Sequence, residues 1–281
     1  MRQLLPVTVF LLMTSIGMSL GPREFLGIWS RVRAWARLRL LLATFVIPPI
    51  IALILMRLMR LTYGEAVGLF MLGVVPGAPL TSRVAAKRGF DMKLAATYQV
   101  WVALLTPLMI PVIVYCAAKL YNRDVWISPV RLLKQISENQ FVPLLIGMAA
   151  MYFLTAFAAR LKPLITMAGN LLLAVVIVVL LWKMRAALAT ITPLVIVAAM
   201  TLAVASILAI ILLLRADPET NKTLALCNAN RHIGLALLLA GDYLKARDAL
   251  PMIACYALVA PLTMLAFSRI VRRQPAVAAS A

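Results

Sequence analysis

The residues with chemical capacity gather at two places in an otherwise apolar chain. The first is Asn228-Ala229-Asn230-Arg231-His232, set inside a stretch that is hydrophobic on both sides. An arginine near the centre of a bilayer costs roughly 2.5–3.5 kcal/mol on insertion scales, so one found there usually faces a polar cavity and serves a function. Its guanidinium can stand in for a metal cation. It can also grip a carboxylate, sulfonate or phosphate through paired N–H groups, or cap free carbonyls of the protein itself. His232, the one histidine in the chain, can titrate and carry a proton, or serve as a hydrogen-bonded packing residue. Asn228 and Asn230 add amides, and Cys227 adds a thiol directly before them.

The second place is 73–82, Gly-Val-Val-Pro-Gly-Ala-Pro-Leu-Thr-Ser. Gly73, Pro76, Gly77 and Pro79 cannot all sit in a regular helix, because proline lacks the backbone donor and glycine favours unwinding. The backbone is expected to open there, beside the hydroxyls of Thr81 and Ser82. Gln99 places one more polar side chain in the next apolar stretch.

These breaks must be carried by membrane-spanning helices. Hydrophobic residues make up 64% of the 281 positions, and the mean hydropathy is +1.00. A spanning helix needs about 20 mostly apolar residues. Nine stretches qualify: 4–20, 38–56, 62–88, 92–118, 140–158, 163–182, 192–214, 219–241 and 247–267. Unpaired backbone is too costly in lipid for anything but helices or a closed barrel, so the expected fold is an all-α polytopic membrane protein. The links are short, which makes 1–281 a single transmembrane domain. The longest internal link runs from 121 to 138, and Pro48-Pro49 should bend or open the second span.

A net charge of +19 would suit a nucleic-acid partner, but the Lys and Arg residues fall almost entirely between spans, where they meet lipid headgroups. No nucleic acid is expected. The cations are more numerous on the side that holds Arg83, Lys87, Arg88, Arg160 and Lys162, which puts the N-terminus outside and the C-terminus in the cytoplasm. The apolar start of the chain carries no small-x-small cleavage site and is expected to stay as the first span. Cys116, Cys227 and Cys255 have no metal-ligand spacing, and no cofactor or metal is expected.

The breaks lie in the third and eighth spans and have similar sequels. Gly89 precedes Lys93 and leads to Leu105-Thr106-Pro107-Leu108; Gly241 precedes Lys245 and leads to Val259-Ala260-Pro261-Leu262. An odd offset reverses direction, so the two halves would be inverted repeats. Paired interrupted helices in such repeats point to the midplane site of a secondary transporter.

At these residues the chain resembles the bile acid:sodium symporter family, within a wider group that includes arsenite permeases and auxin-type carriers. Gly17-Met18-Ser19-Leu20 with Pro22-Arg23-Glu24-Phe25 is similar to that family's early G-M-x-L…P-x-D-F segment. Val75-Pro76-Gly77, Arg88-Gly89 and Thr106-Pro107…Pro111 resemble its first break and sequel, and Asn230-Arg231-His232-Ile233-Gly234-Leu235-Ala236 resembles its second. The resemblance implies a panel (4–20 and 140–182) and a core (38–118 and 192–267), with the substrate cavity between them. It also places the family's sodium ligands at Cys227, Arg231-His232, Thr81-Ser82, Ala95 and Gln99, residues that mostly cannot serve.

The expected function is secondary transport of a small organic anion in a bacterial inner membrane, independent of sodium or coupled to protons, with sodium kept as the less favoured ion. Thr81, Ser82, Gln99, Cys227, Asn228, Asn230, Arg231 and His232 would line the site. Pro76, Gly77 and Pro79 would open the helix. Two other readings are a non-transporting receptor or assembly protein on the same fold, and an intramembrane thiol enzyme using Cys227 and His232.

Overall fold

The computed structural model describes residues 4–19, 34–78, 81–120, 129–243 and 249–273, and it is helical without strands among them. Pro79, the segment from Leu20 through Phe25, and Lys245 lie outside the described residues.

In order, the elements are α1 (Leu4–Gly17), α2 (Ala34–Leu41), a π-helical turn (Leu42–Val46), α3 (Ile47–Leu58), α4 (Tyr63–Val74), α5 (Thr81–Lys87) and α6 (Met92–Leu120). They continue as α7 (Pro129–Ile136), a second π-helical turn (Ser137–Phe141), α8 (Val142–Phe153), α9 (Thr155–Leu188), α10 (Pro193–Leu213), α11 (Pro218–Ala229), α12 (Ile233–Tyr243) and α13 (Leu250–Arg273). Among the described residues, five helical stretches are long and apolar enough to cross a bilayer: Trp35–Leu58, Met92–Leu120, Thr155–Val176, Pro193–Leu213 and Leu250–Val271. The large apolar side chains left exposed, Leu108, Val112, Phe157, Leu208 and Leu212 among them, form the surface that lipid would cover.

Two expected boundaries are corrected. The link 121–138 is helical from Pro129 onward, where proline at a helix start costs no hydrogen bond. The turn after the fifth span falls at Leu154 rather than at 159–162, so Arg160 and Lys162 belong to α9. There the Thr155 hydroxyl donates to the Met151 carbonyl at 2.9 Å, satisfying a helix-end acceptor that Pro163 had seemed to mark further on.

Helices α1, α8 and α9 pack on one another, and α3, α4, α10, α11, α12 and α13 form a second, larger group. Within the first group Gly17 and Gly147 meet backbone to backbone. A Cβ on Gly17 would collide with the Leu144 carbonyl, and one on Gly147 with the Thr14 carbonyl. The larger group surrounds a core of Val67, Leu69, Leu72, Ala199, Leu202, Leu239 and Tyr256, all buried.

Capping fixes where the interrupted helices begin. Thr62 and Glu65 form a reciprocal capping box at the start of α4, with Thr62 N donating to Glu65 Oε2 at 2.8 Å. Asp217 caps α11 by accepting from Thr220 N at 2.9 Å. Hydrogen bonds from the Thr220 side chain and backbone hold the Asp217 carboxyl below its ordinary range. A depressed carboxyl adds stability above its unfolded value and loses it as pH falls through the folded value. Asp217→Ala should therefore cost about 1 kcal/mol near neutral pH, and the cost should shrink as pH falls through the folded carboxyl's own lowered value, read as Tm against pH in detergent. Gly147→Leu should force α1 and α8 apart, lowering Tm or abolishing the monodisperse protein, because the colliding atoms are backbone.

Candidate functional site

Pro48-Pro49 sets up the site. In the π-helical turn Ile47 N bonds Leu42 O, so it does not reach Ala43 O, its α-helical partner. Thr44 O would be served by residue 48, which is proline and has no N–H. Two adjacent carbonyls, Ala43 O and Thr44 O, are thereby left open within buried backbone. The first break frees a third. Helix α4 ends at Val74, and Gly77 adopts φ +75, so Gly73 O has no helical donor. Only glycine takes that backbone without strain, and a Cβ at Gly77 would also lie 2.7 Å from Val102 Cγ1.

The second break supplies the donors. Arg231 is fully buried. Its Nη1 donates to Thr44 O and Gly73 O, both at 3.3 Å, and its Nη2 to Ser206 Oγ at 3.1 Å and to Asn228 Oδ1 at 3.5 Å. Asn228 is fully used as well. Its Nδ2 donates to Ala43 O at 3.0 Å and Ser206 O at 2.7 Å, while Oδ1 also accepts from Tyr98 Oη at 3.1 Å. Neither ion pair found among the described residues involves Arg231. The cation is held by neutral oxygens instead, at the C-terminal ends of α4 and α11, where the helix dipoles favour positive charge. Charge-assisted hydrogen bonds of about 1.5–3 kcal/mol each offset a desolvation penalty of several kcal/mol.

The two breaks meet. His232 N donates to Val75 O at 3.2 Å and Ala78 N to Asn230 O at 2.9 Å, a short antiparallel pairing of two unwound stretches. Asn230 Nδ2 ties the crossing further by donating to Thr81 Oγ1 at 3.0 Å. Gln99 Oε1 accepts from Ser82 N at 3.2 Å in the first turn of α5.

His232 Nδ1 accepts from Leu235 N at 3.0 Å and so caps α12, which leaves the ring proton on Nε2. A second proton could be added only by giving up that cap at the positive end of a helix. Nε2 is buried without a partner among the described residues. Cys227 packs among Tyr98, Trp101, Leu224 and Met264, and no hydrogen bond among the described residues joins it to His232.

Sequence reasoning missed Thr44, Ser206 and Tyr98, and it missed a cavity of about 580 Å³ between α5 and α9. That cavity is lined by Arg83, Lys162, Pro163, Thr166, Met167, Asn170 and Leu171. Among the described residues neither cation forms an ion pair, and Asn170 Oδ1 is buried without a partner. Nine alternating spans put Arg83 and Lys162 on the same membrane side, and both line the cavity. Counting the donors that Pro48 and Pro49 lack would have found the open carbonyls. Ser206 gave no signal beyond being a hydroxyl in an apolar helix.

Asn228→Leu should be among the most damaging single changes, because it leaves Ala43 O without a donor, strips the side-chain donor from Ser206 O and removes one acceptor from Arg231. A loss of about 3–5 kcal/mol is expected, against about 1 kcal/mol for Asn230→Ala, compared by Tm in the same detergent.

Two comparisons bear on identity. The family model described as Sodium Bile acid symporter family matches residues 6–191, which include the first break and α1 through α9 but stop before the second break. None of the curated proteins matches the chain. A match over most of the chain, together with apolar helices of spanning length, makes this an integral membrane protein that works in a lipid bilayer on a small molecule. The chain belongs to the sodium bile acid symporter family of membrane transporters.

Proposed function

We infer that this protein is a secondary transporter of a small organic anion that moves its substrate without sodium. The reading takes the topology as nine crossings in inverted repeats, with the N-terminus outside and the C-terminus in the cytoplasm of a bacterial inner membrane. Helices α1, α8 and α9 would act as a panel and the larger group as a core, the anion passing between them.

The observation that carries the anion reading is the cavity between α5 and α9. Two cations that form no ion pair among the described residues, Arg83 from one side and Lys162 from the other, face a volume of about 580 Å³. Met167, Leu171 and Pro163 supply an apolar wall for the body of an organic molecule. Helix α5 packs on α6 and on α11 of the larger group, whereas Lys162 sits on α9, so relative movement of panel and core would assemble or part the anion's contacts. Lack of a sodium requirement is supported by Arg231, whose positive charge is already present where the breaks cross. The use of His232 Nδ1 as a helix cap argues against proton carriage on that ring.

Uptake of labelled organic anions into proteoliposomes tests this. Accumulation should be equal in sodium and choline buffers, and strict dependence on sodium would contradict the sodium-free step. Arg83→Gln and Lys162→Gln should each raise KM by about tenfold, which is about 1.4 kcal/mol of lost binding, with a smaller change in the maximal rate. Saturable binding without accumulation would favour a receptor on the same fold.

A further inference from the structure

The acceptors around Arg231 are an unusual set for an arginine. Buried arginines are ordinarily met by carboxylates, whose paired oxygens match the guanidinium fork. Here the partners are two carbonyls, a hydroxyl and a side-chain amide oxygen, with the Tyr256 phenol also against the guanidinium, all neutral. The fit to arginine is incomplete as well, since Nε finds no partner among the described residues. Unwound carbonyls and half-helix C-terminal ends are instead the donor set that coordinates small monovalent cations in transporters. The carbonyls are not incidental. Thr44 O is open because residue 48 is proline, and Gly73 O because the chain leaves α4 at the break. None of the four oxygens lies at a position where the family resemblance puts a sodium ligand.

We propose that Thr44 O, Gly73 O, Ser206 Oγ and Asn228 Oδ1 form a monovalent-cation site that Arg231 fills as a tethered cation, so that removing the guanidinium opens the site to sodium. The positive charge belongs to the resting architecture: it neutralises the C-terminal ends of α4 and α11 and lets the crossing stay closed. A free ion in its place would have to enter and leave, which would make the closure depend on ion concentration. Arginine removes that dependence. The uptake arm of the proposal rests on the reading of sodium-free transport, whereas ion binding by the cage does not.

The test uses the full-length protein in lipid nanodiscs, as wild type, Arg231→Ala, Arg231→Lys and the double variant Arg231→Ala with Ser206→Ala. Thermal unfolding is followed while sodium chloride replaces N-methylglucamine chloride at constant ionic strength, and separately with low-millimolar guanidinium chloride. Wild type and Arg231→Lys should show a flat Tm. Arg231→Ala should start lower and show a saturable upward shift with sodium and with guanidinium, reduced by at least half in the double variant. A Tm of Arg231→Ala that ignores both cations overturns the proposal, as does a sodium shift of equal size in wild type. Should Arg231→Ala not be recovered, Arg231→Lys is compared with Arg231→Met in sodium-free buffer. Recovery of the lysine variant alone supports the cation role, and equal recovery of both overturns it. In proteoliposomes Arg231→Ala uptake should become sodium-stimulated. A sodium-dependent Tm with no uptake by any variant would sink the transport reading while leaving the cation site intact.

Discussion

A guanidinium held by neutral oxygens in the middle of an apolar helix bundle is the interaction on which the crossing depends. Without a cation there, the carbonyls of Thr44 and Gly73 would face each other without a donor between them, a cost of about 1–3 kcal/mol for each unsatisfied group. With it, helices that contribute to both breaks, together with the π-helical turn and α10, are tied to one side chain. Asn228 extends the tie by joining Ala43 O, Ser206 O and Tyr98. A network in low dielectric is strong when every member is satisfied, and this one is nearly so.

The same logic explains why the site is assembled from irregular backbone. Regular helices spend their carbonyls on their own N–H groups and offer nothing to a cation. Three departures from regularity release acceptors: the π-helical turn before Pro48-Pro49, the break at Gly77, and the unwinding at Asn230. Such backbone is tolerated at membrane depth only when buried in protein, as it is here. The short pairing of Val75 with His232 and of Ala78 with Asn230 satisfies what the breaks leave over.

Much of this was legible in the sequence, and the rest was not for identifiable reasons. The prolines and glycines of 73–79 and the polar run at 228–232 announced both breaks, because each violates a rule for spanning helices. That the breaks touch could be suspected from their matching positions. The direction in which Arg231 points could not, since snorkelling, anion contact and carbonyl capping use the same residue type. The structure places the guanidinium on carbonyls, with no surface exposure in this conformation. Helix boundaries failed where the deciding bond was a back-bonded hydroxyl at Thr155, a signal too weak to read against Pro163. Arg83 and Lys162 looked like headgroup contacts, and only the packing of α5 near α9 turns them toward a shared cavity.

The central claim is that the positive charge at the crossing belongs to the chain and not to the medium. A cryo-EM map of the protein in lipid nanodiscs with saturating sodium tests it most directly. The account predicts continuous density from the Arg231 side chain to contacts with Thr44 O, Gly73 O and Ser206 Oγ, with no separate ion peak among them. Density that shows Arg231 turned into an open cleft, with an ion coordinated by those oxygens, would contradict it.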